Sequence, residues 1–197
     1  MSPELVILTV GIILEETSYT QRDITEFCLS LSSLEKKTDI SEEAGIFLSA
    51  LVVTHYEKTK KVTEPYILIT ELLETKLDYL GCHNRAAEIE IIGNAGDKVG
   101  REMFGGKIVV KGNVGLLCGG SMSGGTIIAE KSGSSLGGFM SGGKIFVKDA
   151  DITCGFQMTG GEIHIAREYS FLIDSNNAYG GSIYYANKLI FHNGDKV

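Results

Sequence analysis

The sequence predicts a mainly β protein in which short strands stack into a parallel β-solenoid. Two observations support this fold class. Glycine contributes 25 of the 197 residues, about twice the average share of ~7%, and nearly all of it lies after residue 64. These glycines recur with a short period and are followed by alternating apolar residues, which is the pattern of a half-buried strand.

The period is defined by glycine pairs and by two residues at fixed distances before them. The pairs are 18 to 20 residues apart: Gly105 and Gly106, Gly124 and Gly125, Gly142 and Gly143, Gly160 and Gly161, and Gly180 and Gly181. Before each of the first four pairs, a glycine lies five residues upstream and a methionine two residues upstream: Gly100 and Met103, Gly119 and Met122, Gly137 and Met140, and Gly155 and Met158. A weaker first copy contains Gly81, so at least six copies run from about residue 74 to 186.

A repeat this short cannot hold two helices, and a single coil cannot bury its own apolar face, whereas a stack of coils can. Six coils spaced ~4.8 Å apart would give a stack of roughly 29 Å. Glycine in an ordinary strand costs about 0.5–1 kcal/mol, so we expect these glycines at corners and at close contacts between coils. The copies lack a six-residue period and a GGxGxD element, which excludes hexapeptide and calcium-binding nonapeptide solenoids.

Charge and composition divide the chain into two predicted domains, residues 1–64 and residues 65–197. The first carries 11 acidic and 6 basic residues and the second 14 and 12, which gives net charges of −5 and −2. We expect the first to be a small α/β cap that covers the open end of the first coil, since end coils expose unpaired backbone groups.

Within the cap, the apolar run from Leu5 to Leu14 predicts a buried strand. Thr20 and Asp23 resemble a helix N-cap pair, and a helical apolar face follows from Ile24 to Leu34. A second helix is expected to begin at Ser41 and to end near the basic residues Lys58, Lys60 and Lys61. A strand is expected over 66–70.

The composition also limits the function. A net charge of −7 argues against nucleic acid as a partner. The chain start has no basic region before its apolar run, and that run is too short to span a bilayer, so we expect a cytoplasmic protein without a membrane partner. No nucleophile elbow, phosphate loop or zinc motif occurs, and we expect no catalytic residue, cofactor or metal site.

Several residue groups invite a chemical interpretation. The four methionines could bind a soft metal, but we expect them to fill the same core gap in successive coils. Asp149, Asp151 and Asp174 could form a carboxylate cluster, although a solvated corner is the favoured interpretation. The cysteines form no CxxC motif and are expected to be reduced structural thiols, and the histidines share no ligand spacing: Cys28, Cys82, Cys118 and Cys154, and His55, His83, His164 and His192.

One outward-facing position of the repeat, which we call the outer column, departs from the expected alternation. It consists of Glu90, Val109, Ile128, Phe146, His164 and Tyr184. Outward positions should be polar, yet the middle of this column is apolar. Either the N-terminal segment folds back over it, or it is a docking face for another chain or a second copy. The candidate interface residues are Val109, Ile128, Phe146 and Tyr184.

The segment GNAGDKVGREMFGGKIVVKGN resembles the GXGXG family of right-handed parallel β-helices. That family includes the C-terminal domain of the glutamate synthase large subunit and one of the subunits of tungsten or molybdenum formylmethanofuran dehydrogenase. The resemblance covers about residues 74–186 and is best over 93–166, through the elements G-N-x-G, x-G-x-x-M and G-G-x-I-x-V. It implies a right-handed β-helix that packs against catalytic parts and itself holds no active-site residue.

The resemblance implies a non-catalytic scaffold or assembly subunit of an oxidoreductase complex, with other protein subunits as partners and an archaeal source. A second hypothesis is a stand-alone homo-oligomer that binds an unknown ligand or partner in the groove between cap and solenoid. A third is a carbohydrate-active β-helix enzyme, which would need clustered carboxylates on one face.

Overall fold

A computed structural model describes residues 3–33, 40–60, 62–151, 153–167, 178–193 and 195–197. In these ranges, helices precede a single nine-stranded sheet whose strands are neighbours in chain order. The first seven strands pair in parallel, and the last two join antiparallel. The predicted mainly β fold, a parallel β-solenoid of about six coils after an N-terminal region, is confirmed.

The helices come first in the chain and the strands follow. The helices are α1 (Pro3–Glu15), α2 (Gln21–Ser30), a short 3-10 helix (Leu31–Ser33) and α3 (Ser41–Thr59). The strands are β1 (Tyr66–Ile69), β2 (Glu88–Ile92), β3 (Lys107–Val110), β4 (Thr126–Ser132), β5 (Ser141–Ala150), β6 (Thr159–Ile165), β7 (Gly180–Tyr185), β8 (Lys188–His192) and β9 (Asp195–Lys196).

The N-terminal region is helical, and the strand predicted from Leu5 to Leu14 is wrong. These residues form α1, which packs against α3. A ten-residue apolar run does not distinguish a strand from a helix by periodicity, and its length favours a helix. The strand expected over 66–70 exists as β1, but it belongs to the solenoid sheet and pairs with β2. Among the described residues, the cap therefore contains no sheet of its own.

The predicted start of α2 and both predicted ends of α3 agree with the structure, whereas α2 ends at Ser30, before Leu34. The Thr20 hydroxyl accepts a hydrogen bond from the Asp23 backbone N–H, and the Asp23 carboxylate accepts one from the Thr20 N–H at 2.7 Å. Helix α3 begins at Ser41, as expected. The Lys58 ammonium donates to the carbonyls of Leu14 and Thr17, so it holds the end of α1 in place. Leu34 and Lys61 lie outside the described residues.

Residues that occupy the same column of the sequence repeat are paired with each other across adjacent strands of the sheet. Ile108 faces Ile127, which faces Ile145 in the next coil. The strands repeat every 18 to 20 residues, except that the step from Tyr66 to its partner Ile89 is four residues longer than the next one. Both inward columns of the central coils are buried: Ile89, Ile108, Ile127, Ile145, Ile163 and Ile183, and Ile91, Val110, Ala129, Val147 and Ile165.

The methionine column fills the core, as predicted, and it does so by a specific contact with the next coil. All four methionines are fully buried. A Cβ built on Gly125 would lie 2.5 Å from the methyl carbon of Met103, and one on Gly143 would lie 2.6 Å from that of Met122. The same relation joins Met140 to Gly161 and Met158 to Gly181. Each methionine therefore occupies space in the following coil that is free because the residue there is glycine and has no side chain.

The glycine five residues before each pair makes a second contact between coils. Gly119 has φ +67°, and its Cβ would lie 2.4 Å from Cδ1 of Ile145 in the next coil. Glycine adopts such a φ without the strain that other residues incur, and any side chain here would displace a core isoleucine. The same contact with the isoleucine of the following coil is made by Gly81, Gly100 and Gly137.

The helices close the open end of the first coil with polar side chains. In α2, Thr25 Oγ1 donates to the carbonyl of Ile67 at 2.8 Å, and the Cys28 thiol lies 3.4 Å from the carbonyl of Ile69. In α3, the buried Ser49 hydroxyl accepts from the Gly81 N–H at 2.9 Å and lies 3.0 Å from the Tyr79 carbonyl. Backbone groups at the edge of the sheet thus find partners. No described helix is long and apolar enough to cross a membrane.

We predict that Met122 and Gly143 are energetically coupled. Gly143→Ala introduces a Cβ at φ +84°, which should destabilise the fold by about 2–4 kcal/mol through backbone strain and overpacking. Met122→Ala should cost about 2–5 kcal/mol. In the double variant the new methyl enters the vacated space, so the loss in unfolding free energy should fall short of the sum by about 1 kcal/mol.

Denaturant unfolding of the four proteins measures this coupling. Gly138→Ala is the matched control, since φ is not positive there and the nearest atom to its Cβ would be 3.4 Å away. We expect the control to change stability by less than about 0.5 kcal/mol. Strict additivity of the Met122 and Gly143 effects would contradict the contact.

We also predict that Ser49 is a structural part of the cap. Ser49→Ala leaves the Gly81 N–H and the Tyr79 carbonyl buried without this hydroxyl, which should cost about 1–3 kcal/mol of unfolding free energy. Ser30→Ala removes an exposed hydroxyl that bonds to the Phe27 carbonyl and serves as the control. Equal effects of the two substitutions in thermal or denaturant unfolding would refute the role of Ser49.

Candidate functional site: the outer face of the sheet

The outer column exists as one continuous line across the sheet. Glu90 pairs with Val109, Val109 with Ile128, and Ile128 with Phe146. His164 and Tyr184 continue the line in β6 and β7. Phe146 is 36% exposed, and the other members are half-buried. The register thus places the four candidate interface residues, Val109, Ile128, Phe146 and Tyr184, on a single face.

Three rings of this column stack on one another. The centroids of Phe146 and His164 are 4.6 Å apart with an interplanar angle of 18°, and those of His164 and Tyr184 are 4.4 Å apart at 4°. These separations match the distance between adjacent strands, so the coil spacing itself brings the rings into contact. The stack holds the three side chains against one another.

Ion pairs between coils border the column on both sides. Lys144 Nζ lies 3.1 Å from Glu162 Oε1, and Lys111 Nζ lies 3.2 Å from Glu90 Oε1. Hydrogen bonds from His164 and Lys144 lower the pKa of the Glu162 carboxyl below its usual value. The charged groups beside the apolar column are therefore largely neutralised by each other, and the face carries little net charge.

The described helices do not cover this face. Helix α2 packs against β1, and α1 and α2 pack against α3. Among the described elements, no helix makes an extended contact with any strand from β2 to β7. Of the two explanations for the apolar column, folding back of the N-terminal segment is therefore wrong for the described residues, because that segment lies across the end of the stack. The described part of the chain leaves the outer column open to solvent.

The cysteines are buried thiols, as expected. Cys118 and Cys154 face the core in the same column as Val99 and Leu136. All four cysteines are present as thiols rather than disulfides. Burial raises the pKa of Cys28 to about 11 and those of Cys82 and Cys118 to about 12, so these thiols stay protonated at neutral pH.

The carboxylates of the later coils are engaged in ion pairs. Asp149 is buried, with its carboxylate 3.4 Å from Arg167 Nη1 and 3.9 Å from Lys131 Nζ. Its expected position at a solvated corner is therefore wrong, whereas Asp151 is exposed. Asp174 lies outside the described residues. Within the described ranges, no group of three histidine, cysteine or acidic side chains could hold a metal ion.

The helical region also contains a cavity of about 350 Å³ that the sequence did not indicate. It is lined by Glu16, Thr17, Ser18, Tyr19, His55, Lys58 and Thr59. His55 Nδ1 lies 2.7 Å from the Tyr66 hydroxyl, and burial lowers the pKa of His55. The Tyr19 hydroxyl donates to the Leu51 carbonyl, and burial raises the pKa of this phenol to about 12. The His55 ring and the Tyr19 hydroxyl thus already bond within the protein. No motif marks it, since its residues come from a turn and a helix end.

Comparison of the chain with protein-family models, with curated proteins and with solved structures found no match. The likeness to the GXGXG family therefore depends on the repeat elements in the sequence.

We predict that the native thiols are unreactive. At pH 8, a thiol-specific disulfide reagent should label none of the four cysteines rapidly, because burial excludes the reagent and keeps the thiolate fraction small. Addition of denaturant should expose all four, and absorbance of the released chromophore counts them. A cysteine in the native protein that reacts at the rate of a free thiol would contradict this burial.

Proposed function

We propose that the protein is a non-catalytic scaffold that binds other protein chains through its outer column and serves an oxidoreductase complex. The observation that supports this proposal is the open apolar column on a rigid sheet. Outward side chains in this sheet do not fill the core, so the apolar residues there do little for folding. Contiguous apolar surface of this kind is typical of interaction sites.

The composition of the face suits a protein partner. Its centre is aromatic and aliphatic and its border is polar, which is the usual arrangement of a protein interface. Phe146, His164 and Tyr184 are already ordered by stacking. Binding would therefore cost little additional side-chain entropy.

A scaffold role also agrees with the state of the titratable groups on the solenoid. Glu162 is bonded to Lys144 and His164, and Asp149 is paired with Lys131 and Arg167. These groups join one coil to the next. In that role they support the stack rather than act on a substrate.

The proposed setting follows from the resemblance of residues 93–166 to the GXGXG β-helices. The resemblance implies a β-helix that packs against catalytic parts, as in complexes such as formylmethanofuran dehydrogenase and glutamate synthase. We propose an equivalent place for this chain, with an oxidoreductase subunit as its partner.

Affinity purification of the tagged protein from its native cells tests this function. We expect an oxidoreductase subunit to be recovered with the wild-type protein, and at least about tenfold less of it with Phe146→Glu, since an interface anchor contributes about 2 kcal/mol or more. Phe156→Glu is the matched control, because Phe156 is 38% exposed but lies at a corner off the outer column.

Two outcomes would count against the proposal. Recovery of the protein alone, or of a self-oligomer without a redox subunit, would refute the oxidoreductase setting. Equal recovery of partners with Phe146→Glu and Phe156→Glu would refute the outer column as the binding face.

A further inference from the structure

Helix α1 is a second open apolar surface, at the end of the molecule that carries the cap. Leu8, Ile12 and Ile13 are 57%, 68% and 65% exposed. The opposite side of the helix packs on α3, where a Cβ built on Gly11 would make an ordinary contact of 3.5 Å with Thr54 Oγ1. A helix that is apolar all round is normally buried. Within the described part of the chain, these three side chains are left open to solvent.

The dimensions of α1 match those of the outer column. Its 13 residues span about 20 Å at 1.5 Å per residue. From Val109 to Tyr184 the column crosses four coil steps, or about 19 Å at ~4.8 Å per step. Leu8 and Ile12 are one helical turn apart, so they can lie along a row of outward residues from successive coils.

Charge distinguishes the possible partners of α1. The helix contains no basic residue, and residues 1–64 carry a net charge of −5. Two such regions would repel each other, and an anionic membrane would repel them as well. The outer face does not repel α1 in this way, because its lysines and glutamates pair and leave little net charge: Lys111 with Glu90, Lys144 with Glu162 and Lys148 with Glu130. Electrostatics thus favours α1 on a solenoid face over α1 on another α1.

The column of the same chain is not the one that α1 covers. Helix α1 packs on α3, and among the described elements it makes no extended contact with a strand. Within the described residues α1 and the column lie apart, so an α1 that docks on this column would come from a second copy.

We propose that α1 of one copy docks along the outer column of a second copy, through Leu8, Ile12 and Ile13 against the row from Val109 to Tyr184. The inference rests on the proposed function to the extent that it takes the outer column as a binding face; it names a second copy as an occupant that competes there with the oxidoreductase subunit. The contact joins two different surfaces. If each copy places its α1 on the outer column of the other, the two copies form a closed dimer; otherwise the copies join head to tail in a ring or a filament.

A mixing experiment with the purified full-length chain tests this contact. Sedimentation velocity from about 1 µM to about 100 µM, a range suited to small interfaces, should show concentration-dependent self-association of the wild type. Ile12→Glu disables the helix and Phe146→Glu disables the column. We expect each variant alone to associate at least about tenfold more weakly, and Phe156→Glu to associate like the wild type.

The decisive sample is the equimolar mixture of Ile12→Glu and Phe146→Glu. The intact helix of one variant can dock on the intact column of the other, so we expect a 1:1 heterodimer that forms in the mixture alone. This rescue also shows that both variants are folded. Failure of the mixture to associate, with both variants folded by circular dichroism, would overturn the inference.

Other outcomes identify the alternatives. Undiminished association of Phe146→Glu alone would show that α1 pairs with α1, and undiminished association of Ile12→Glu alone would show that columns pair with columns. A wild type that is monomeric at every concentration would also overturn the inference. In that case, loss of a co-purified subunit with Phe146→Glu would still support the proposed function, since a different protein would then cover the column.

Discussion

The close contact between successive coils is the constraint on which the structure depends. The first glycine of each pair lies against a carbonyl of the preceding coil: a Cβ on Gly124 would be 2.3 Å from the Phe104 oxygen. In the last four pairs the second glycine receives a methionine methyl, and the glycine five residues before each of the first four pairs receives an isoleucine. A side chain at any of these positions would push two coils apart. The hydrogen bonds along the sheet would lengthen with them, so the glycines set the spacing that the sheet requires.

This constraint explains why the chain needs different residues at its ends. Inside the stack, each coil satisfies the backbone of its neighbours, as when the Gly119 N–H donates to the Val99 carbonyl. The first coil has no neighbour on one side, and side chains of the helices replace it. Thr25, Cys28 and Ser49 serve this purpose and are polar or weakly polar residues on buried helix faces. At the other end, β8 and β9 turn antiparallel, and short charged β9 is a poor template for further pairing.

The sequence predicts the part of the fold that repeats. The positions of glycine and methionine define the period of the repeat. The period then predicts which residues of successive strands are paired, and this pairing identifies the outer column from the sequence alone. Regions that do not repeat were less predictable. The apolar run of α1 fits a strand as well as a helix, and the extra residues between Tyr66 and Ile89 have no counterpart in other copies. Lys98, Leu117 and Phe139 adopt φ values of 60°, 56° and 59° although no local signal marks them. Their conformation comes from the neighbouring coils, whose carbonyls accept their N–H groups.

The outer column is informative because the stack does not require it to be apolar. Glu90 occupies the same column in an earlier coil and pairs with Lys111, so a charged residue is compatible with this position. Later coils use valine, isoleucine and aromatic rings in an equivalent backbone environment. A difference between equivalent positions cannot arise from the fold that they share. It has to come from what lies outside the sheet, and the same reasoning applies to Leu8, Ile12 and Ile13 on α1, where solvent would favour polar residues. An apolar exterior at these two places is what the proposed contacts with other chains would require, and the regular scaffold does not account for it.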